Sequence, residues 1–486
     1  MQIKHLLLAA LSAARACVPS MDPSSQMRDG GDVLAVPLSG ANATLAVCVA
    51  LCCNRADCFS FSYNNPQPAD TCVGGSCCHQ GGACCMLKDT VPPLTPNTFG
   101  PAVATGTLTA AGPAPPFPPS VDILGAAFGA PSFWPGAGDG KNAGDTWPSA
   151  WAPDGRLLAW DCDAHGSPMS LWDVRGDPFS GNLTPVPVGA SLNPINYTAL
   201  CGYLGKTGSY PNINVKPAGM TALPDGTLLA GVSCMNYGDD AVFNRQHNLA
   251  GFVAVSRDSG ATWTNGTPPG ELFQRQLAAP VFVSCGRANN GDCLADGFLY
   301  VFFPGAFDGA AYWDNNDGFW LARVPPGGAL ITSQYQWFVG SDGAGAPVWA
   351  GDALQAQPVL TFANMLGENA VSWHPYLRKF LMANYGFIDA RGRPRPWHSQ
   401  PFMTPHRTQL VLLEADQPWG PWRTFYRSDD SPLAPGLYTP TFPSAYMREP
   451  AGSVAQLVMF FACLGGADSC RYTLNWARVN FTLASR

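Results

Sequence analysis

Asp145 and Asp163 stand at the two open ends of one stretch, DTWPSAWAPDGRLLAWDCD, whose apolar runs fold about Pro153, Asp154 and Gly155. A three-residue turn centred on Asp154 makes the two aspartates cross-strand partners, within a one-residue slip of register. A strand pair needs neither charge, and like charges facing each other across a ladder destabilise it. Two carboxyl groups held close push one pKa up, the condition for an acid and a base on one reaction centre. Glycosidic bond hydrolysis uses such a pair, and their separation decides whether the sugar is retained or inverted. Asp145 and Asp163 are therefore the expected catalytic residues. Asp161 has the parity of Asp163 and is expected on the same face. The alternative is turn chemistry, with Asp145 as a cap and Asp163 accepting backbone amides.

Further side chains are expected to contact a substrate. Lys216, in VKPAGM, suits a sugar hydroxyl or a carboxylate, or lies along apolar surface by its stem. Asp314 and Asp317, in YWDNNDGFW, and Glu368 and His374, in GENAVSWHPYLRKF, are placed at the same mouth. Trp147, Trp313 and Trp373 offer flat platforms for sugar rings, against the plainer reading of core packing. DNNDG lacks the spacing of a calcium loop, and His398 and His406 form no zinc pattern. Neither a metal nor a cofactor is expected. No nucleophile elbow, P-loop or dinucleotide fingerprint occurs in the sequence.

The chain that must position these residues has 486 residues, a net charge of -7 and only 13% charged residues. That balance leaves no basic face for nucleic acid. With 52 glycines and 46 prolines, turn-rich β structure is favoured over helix bundles. The start, MQIKHLLLAALSAARAC, has a basic beginning, a short apolar run and small residues at Ala14 and Ala16. It reads as a cleaved secretory signal over 1–16, and no stretch is long enough to span a bilayer. Seventeen cysteines then read as an extracellular disulfide inventory. The sequons at Asn42, Asn182, Asn196, Asn265 and Asn480 agree with a secreted, extracellular glycoprotein.

Ten cysteines fall between Cys17 and Cys85, and seven are spread over the rest. ATLAVCVALCCNRADCFSFSYN sets Cys48 and Cys52 one helical turn apart, ahead of a strand-like alternation, and the block closes at CCMLKD. This disulfide-rich segment, 17–88, resembles the apple/PAN module, with more cysteines than is usual. The resemblance implies binding of carbohydrate or of an extracellular protein. Residues 89–120 carry nine prolines and, after Asp89, no charge; they read as a Pro-rich linker. Among the later cysteines, short loops Cys285–Cys293 and Cys463–Cys470 are expected, with one pair among Cys162, Cys201 and Cys234. One thiol, for which Cys53 is a candidate, stays unpaired. No bridge is expected between the early block and the later seven.

Residues 121–486 are periodic. PDGRLLA at 153, PDGTLLA at 224 and ADGFLYV at 295 recur 71 residues apart, each an Asp-Gly turn before an apolar strand. A further step reaches Gly367 in LGENAVSW. Such units point to a mainly β chain forming a five-bladed β-propeller, with six smaller blades as the competing count. SRDSGATW, Ser256 to Trp263, has the form of the Asp box of sialidase-like propellers, a structural hairpin device. The succession of DTWPSAWAPDGRLLAWDCD, VKPAGMTALPDGTLLA, the Asp box, FWLARVPPGGAL, YQWFVGSDGAGAPVW and QPWGPWRTFYRSDD resembles a family of secreted five-bladed propellers that includes bacterial endo-D-arabinanases. The resemblance implies hydrolysis of a cell-wall or matrix polysaccharide, arabinan-like in some members, by acidic residues at the propeller mouth. Members commonly show Gly-Asp-Gly where this chain has Cys162, Asp163 and Ala164. The alternative function is a non-catalytic propeller that binds carbohydrate or protein without cleaving it.

Overall fold

A computed structural model of the chain describes residues 17–21, 26–28, 32–38, 45–53, 60–64, 83–88, 94–96 and 103–135, then 144–164, 167–189, 201, 213–236, 246–268, 270–291, 293, 296–396, 407–464 and 470–485. The signal-like segment, Cys53's side chain, most of the other surplus early cysteines, the sequons at Asn42 and Asn196, and His398 and His406 lie outside the described residues. The chain divides into two units, 1–113 with 388–393, and 114–387 with 394–486.

In the first unit, β1 (Cys17–Met21), β3 (Asp32–Leu38), β4 (Ser60–Asn64), β5 (Ala83–Lys88) and β7 (Val103–Ala110) make one sheet in the order β1-β7-β4-β5-β3. A short pair, β2 (Gln26–Arg28) with β6 (Leu94–Pro96), accompanies it. The helix α1 (Leu45–Cys53) is fastened to β5 by the Cys48–Cys85 disulfide. Phe61 of β4 is fully buried, and so are its neighbours Ser60 and Ser62, as suits a strand paired on both sides. The stretch read as a linker contains β6 and β7, and β7 pairs with both β1 and β4. The prolines of 89–120 sit at its two ends. Between Pro101 and Pro113 there are none, and the threonines of VATGTLTA favour a strand.

The second unit is a ring of five antiparallel sheets. It opens with β8 (Ile123–Phe128) and β9 (Ser132–Phe133). The first blade follows as β10 (Asp145–Trp151), β11 (Leu157–Ala164), β12 (Ser167–Asp177) and β13 (Asn182–Pro187). The second has β14 (Ile213–Ala222), β15 (Leu228–Asn236), β16 (His247–Ser256) and β17 (Thr264–Asn265), with β18 (Phe273–Gln274) added on β16. The third runs from β19 (Val281–Phe282) and β20 (Leu299–Gly305), past β21 (Ala311–Tyr312), to β22 (Asn316–Val324), β23 (Gln336–Ser341), β24 (Pro347–Ala350) and β25 (Pro358–Leu366). The fourth is β26 (Val371–His374), β27 (Lys379–Ile388), β28 (Arg407–Ala415) and β29 (Arg423–Ser428). The fifth is β30 (Leu437–Thr441), β31 (Val454–Cys463) and β32 (Asn475–Leu483), completed by β8, which pairs with β32. A segment that precedes the first blade thus supplies the last strand of the fifth. Lys379 meets Asp122, Glu414 and Asp416 where that closing strand enters.

The core lies between blades. Trp160 and Trp263 meet between the first and second blades, at 5.0 Å between rings. Trp134, Trp147, Trp172 and Trp476 share the cluster between the fifth and first. The Asp-Gly turns at Asp154, Asp225 and Asp296 join the first two strands of blades one, two and three, as their equal spacing predicts. Each aspartate accepts the backbone N–H two residues on, from Arg156, Thr227 and Phe298. Gly155, Gly226 and Gly297 follow at φ of 95°, 88° and 80°, which glycine adopts without steric cost. The fourth step fails. Gly367 precedes β26 instead of lying between β26 and β27, because β24 and β25 lengthen the third blade and β21, which pairs with β16 of the second, is inserted ahead of them.

The Asp box closes the turn between β16 and β17. Asp258 accepts from Thr262 N–H and from the Ser256 hydroxyl, both at 2.8 Å, and the Trp263 indole donates to Gly260 O. Its role is structural. Cys201–Cys234, Cys285–Cys293 and Cys463–Cys470 are bridged. Among the described residues the free thiol is Cys162, while the side chain of Cys53 lies outside them, and no bridge joins the early cysteines to the later ones. Asn182 and Asn480 are exposed, and Asn265 is half-buried.

Candidate active site

The first strands of the blades, β10, β14, β19, β26 and β30, line the centre, and their starts face away from the Asp-Gly turns. At that end each blade offers a side chain to one cavity of about 250 Å³: Asp145, Lys216, Trp313, Glu368 and Tyr438, from blades one to five in turn. Cys162 and Asp163, at the end of β11, complete its wall. The backbone is irregular here on three strands. Register shifts interrupt β10 between Thr146 and Ser149, β14 between Pro217 and Gly219, and β30 between Tyr438 and Thr441. Each shift contains a proline, Pro148, Pro217 or Pro440, which cannot donate to a ladder and is tolerated at bulges. Thr146, Trp147, Asp163 and Thr439 have left-handed φ of 72°, 58°, 59° and 44°. Strain of this kind, and bulges that re-aim side chains, cluster at functional sites.

The bulge decides which residue faces Asp145. Near the turn the pairing follows the expected register, Trp151 with Leu157 and Ser149 with Ala159. Beyond the bulge it has slipped by one, so Asp145 pairs with Cys162 and Thr146 with Asp161. The Cys162 thiol donates to Asp145 Oδ1, and the Tyr438 hydroxyl donates to Oδ2. Asp163 is ion-paired with Lys216, whose Nζ also lies 3.5 Å from Cys162 Sγ. Tyr472 O–H reaches Asp163 Oδ2 at 3.4 Å.

Burial sets the protonation pattern. It raises the Asp145 carboxyl above its usual value; Lys216 opposes the rise, Asp163 adds to it, and the Cys162 and Tyr438 hydrogen bonds oppose it. It also pushes the Cys162 thiol far up, reinforced by the Asp145 charge. Glu368 is pushed up to about 8 by burial, with the Asn248 amide and the Lys216 charge pulling the other way. Its backbone N–H donates to Trp313 O at 3.0 Å. The mouth therefore holds an acid that is neutral near pH 7, an Asp145 carboxyl group with a donor on each oxygen, and a lysine–carboxylate pair. Asp145, Cys162 and Asp163 present donor atoms within 4.8 Å of one another, close enough for one cation. The cation the chain itself supplies there is the Lys216 ammonium.

Of the residues expected at the site, Asp145, Asp163, Lys216, Trp313 and Glu368 line the cavity. The other six do not, and among them Trp373 is buried against Phe380. Trp147 is fully buried in the tryptophan cluster, its indole donating to Gly144 O, so it packs where a sugar platform was expected. Asp161 stands behind the wall, fully buried, with burial holding its carboxyl well above the usual range. A Cβ on Gly144 would lie 2.6 Å from Asp161 Oδ2, so no other residue type fits there. Asp314 is buried, close enough for its charge to act on the Tyr385 hydroxyl. Asp317 accepts the backbone N–H groups of Phe307 and Asn364, a clasp within the third blade. His374 sits at the far end of β26, its Nδ1 accepting from Leu377 N–H, and burial lowers it to about 4.

Cys162 as a partner of Asp145, Tyr438, Tyr472 and Gln246 were missed. For Tyr438 a signal exists: LYTPT repeats, in the fifth blade, the proline that follows the site residue in DTWP and VKP. A larger open groove of about 650 Å³, beside Arg323 and Trp349, has no acidic residue or thiol in its lining.

Fold and site together define a five-bladed β-propeller with acidic groups and a lysine at its central mouth. No protein-family model matches the sequence, and no curated protein matches it either. Solved structures do. An α-L-arabinofuranosidase from Podospora anserina, in complex with cellotriose, matches at 10% identity and a TM-score of 0.38, over 75% of this chain and 99% of that one. The catalytic domain of a GH62 α-L-arabinofuranosidase from Coprinopsis cinerea matches at 9% and 0.37, over 75% and 98%. A GH43 β-xylosidase/α-arabinofuranosidase from a compost microbial metagenome, in complex with xylotriose, matches at 12% and 0.38, over 74% and 98%. Likeness at this level leaves the chemistry to the side chains.

Proposed function

We propose that this protein is a secreted glycoside hydrolase acting on a cell-wall or matrix polysaccharide. The observation that carries the reading is one cavity shared by Glu368, kept neutral near pH 7 by burial, and Asp145, a carboxyl group with a donor on each oxygen. In this reading Glu368 gives its proton to the leaving-group oxygen as the glycosidic bond breaks, a water molecule forms the new bond to the anomeric carbon and the proton it sheds restores Glu368, and Asp145 supplies negative charge to the other side of the sugar. The acid role, placed on the Asp145–Asp163 pair from the sequence, moves to Glu368. Asp163 and Lys216 hold sugar hydroxyls, and Trp313 supplies an apolar wall. Arabinose- and xylose-containing chains head the substrate panel, since the similar solved structures carry arabinofuranosidase and xylosidase names.

The amino-terminal 16 residues are proposed as the secretory signal, Asn182 and Asn480 as glycan acceptors, and the apple/PAN-like unit as a docking module for glycan or extracellular protein. The test is reducing-end release from arabinans, xylans and algal or plant wall polysaccharides, with Glu368→Gln and Asp145→Asn run beside the wild type. Release that both substitutions abolish supports hydrolysis. Saturable binding with no release by the wild type overturns it in favour of a carbohydrate-binding propeller.

A further inference from the structure

We propose that Cys162 is a positioning residue for Asp145, its protonated thiol occupying the place a second carboxylate would take and fixing the Asp145 carboxylate for the reaction proposed above. The inference rests on that reading for its catalytic meaning, but its physical content stands apart from any substrate.

A free thiol beside a lysine at a site mouth would first be read as a nucleophile. Three observations argue otherwise. Cys162 is fully buried, and both burial and the Asp145 charge hold it in the thiol form, whereas the reactive species is the thiolate. Its Sγ is committed as a donor to Asp145 Oδ1. Lys216, the charge that would activate it, is ion-paired with Asp163. What remains is a neutral donor. With the Tyr438 hydroxyl on Oδ2, it gives each Asp145 oxygen a partner and so fixes the plane of the carboxylate.

The bulge in β10 makes this possible. Without the slip, Asp163 would face Asp145, and two charges would share one ladder position. With it, a thiol separates them, and Asp163 is left to Lys216. The titratable groups acting on Asp145 from its own blade are Cys162, Asp163 and Asp161. From the other blades they are Lys216, Glu368, Tyr385, Tyr438 and Tyr472.

The test titrates Asp145 in the full chain by carboxyl ¹³C shifts, with Asp145→Asn used for assignment. Cys162→Ala removes the donor and should raise the Asp145 titration by about one pH unit, the effect of losing one hydrogen bond to a charged group. Cys162→Ser restores an O–H donor and should bring it back. On a hydrolysed substrate the acidic limb of kcat/KM should move with it. An unmoved Asp145 titration in Cys162→Ala, or a Cys162→Ser variant that does not restore it, overturns the proposal, even if the melting temperature falls. If Cys162→Ala does not fold, Tyr438→Phe must raise the titration and Cys162→Ser must leave it unchanged; failure of either overturns the clamp. A shifted titration with no sugar released from any polysaccharide leaves the clamp standing and removes the hydrolase reading alone.

Discussion

Across the ladder between β10 and β11, Asp145 faces Cys162, and the carboxylate expected opposite it, Asp163, turns to Lys216 one residue on. The slip is local. It begins where Thr146 and Trp147 take left-handed φ, ahead of Pro148, and everything nearer the turn keeps its register. Asp145 is therefore held by neutral donors, and its removal should affect chemistry more than folding. Asp145→Asn is expected to lower turnover by about 10²–10⁴-fold on whichever polysaccharide the protein cleaves. Its melting temperature should stay close to that of the wild type, because an amide spares the cost of burying a charge. Thermal scans and initial rates on one preparation check both halves. A variant that melts much lower and still turns over normally would make Asp145 a structural residue.

Lys379 makes a contrasting prediction away from the mouth. Its ammonium serves Asp122, at the entry of the closing strand β8, together with Asp416 and the fully buried Glu414. Lys379→Met strands the Glu414 charge, retaining only the Ser120 hydroxyl bond at 3.0 Å. Removing one partner of a buried pair costs about 3–5 kcal/mol. The expected outcome is a clear fall in the melting temperature of the propeller, with turnover per folded molecule unchanged. A variant that melts like the wild type would show that β8 is closed by its ladder alone.

The ring was legible in the sequence because a repeated turn leaves a repeated signature. Asp154, Asp225 and Asp296 each need a glycine after them and a backbone N–H donor two residues on, before a strand, so spacing alone placed three equivalent hairpins. The closing strand was not legible, since β8 pairs with β32 across nearly the whole propeller. At the site, residues at the starts of first strands were found when they carried charge, as Asp145, Lys216 and Glu368 do. Cys162 was hidden by its plausible disulfide partners, and Tyr438 by being one aromatic among many. Period-two counting could not foresee the bulge, which inverts the facing of every residue beyond it. Trp147 and His374 went the other way. Both have functional side chains, and both fell inside packed layers, where tertiary context overrides residue type.

His374 gives a pH test of that correction. Burial lowers it to about 4 against an ordinary 6.5, so the folded protein keeps it neutral while the unfolded chain takes a proton as the pH falls from 6.5 to 4. Stability from this group is present above pH 6.5 and is lost on acidification through that window. His374→Asn retains an acceptor for Leu377 N–H and cannot titrate. It should flatten the acid side of the stability curve while leaving turnover unchanged, as urea melts at pH 4, 5, 6 and 7 would show. A large loss of turnover in this variant would return His374 to the active site.

Glu368 carries the opposite sign. Its pKa of about 8, against an ordinary 4.5, is raised by burial, so below pH 4.5 it is neutral in both the folded and the unfolded chain and adds no pH dependence. Between pH 4.5 and 8 the unfolded chain releases the proton that the folded one keeps, and stability falls as the pH rises. The loss is on the order of 5 kcal/mol across the window, and it levels off above pH 8. Glu368→Gln keeps the shape of the side chain and removes the charge that must not form. The variant should be more stable than the wild type at pH 8, equal to it near pH 4.5, and slower by about 10²–10⁴-fold because the proton donor is gone. The wild type itself should lose activity on the alkaline side near pH 8, as the acid ionises. Stability gained together with turnover lost is a combination that neither a packing residue nor a binding-only propeller produces. A Glu368→Gln protein that is less stable at pH 8, or that cleaves as fast as the wild type, would take the acid away from Glu368 and with it the hydrolytic reading of the mouth.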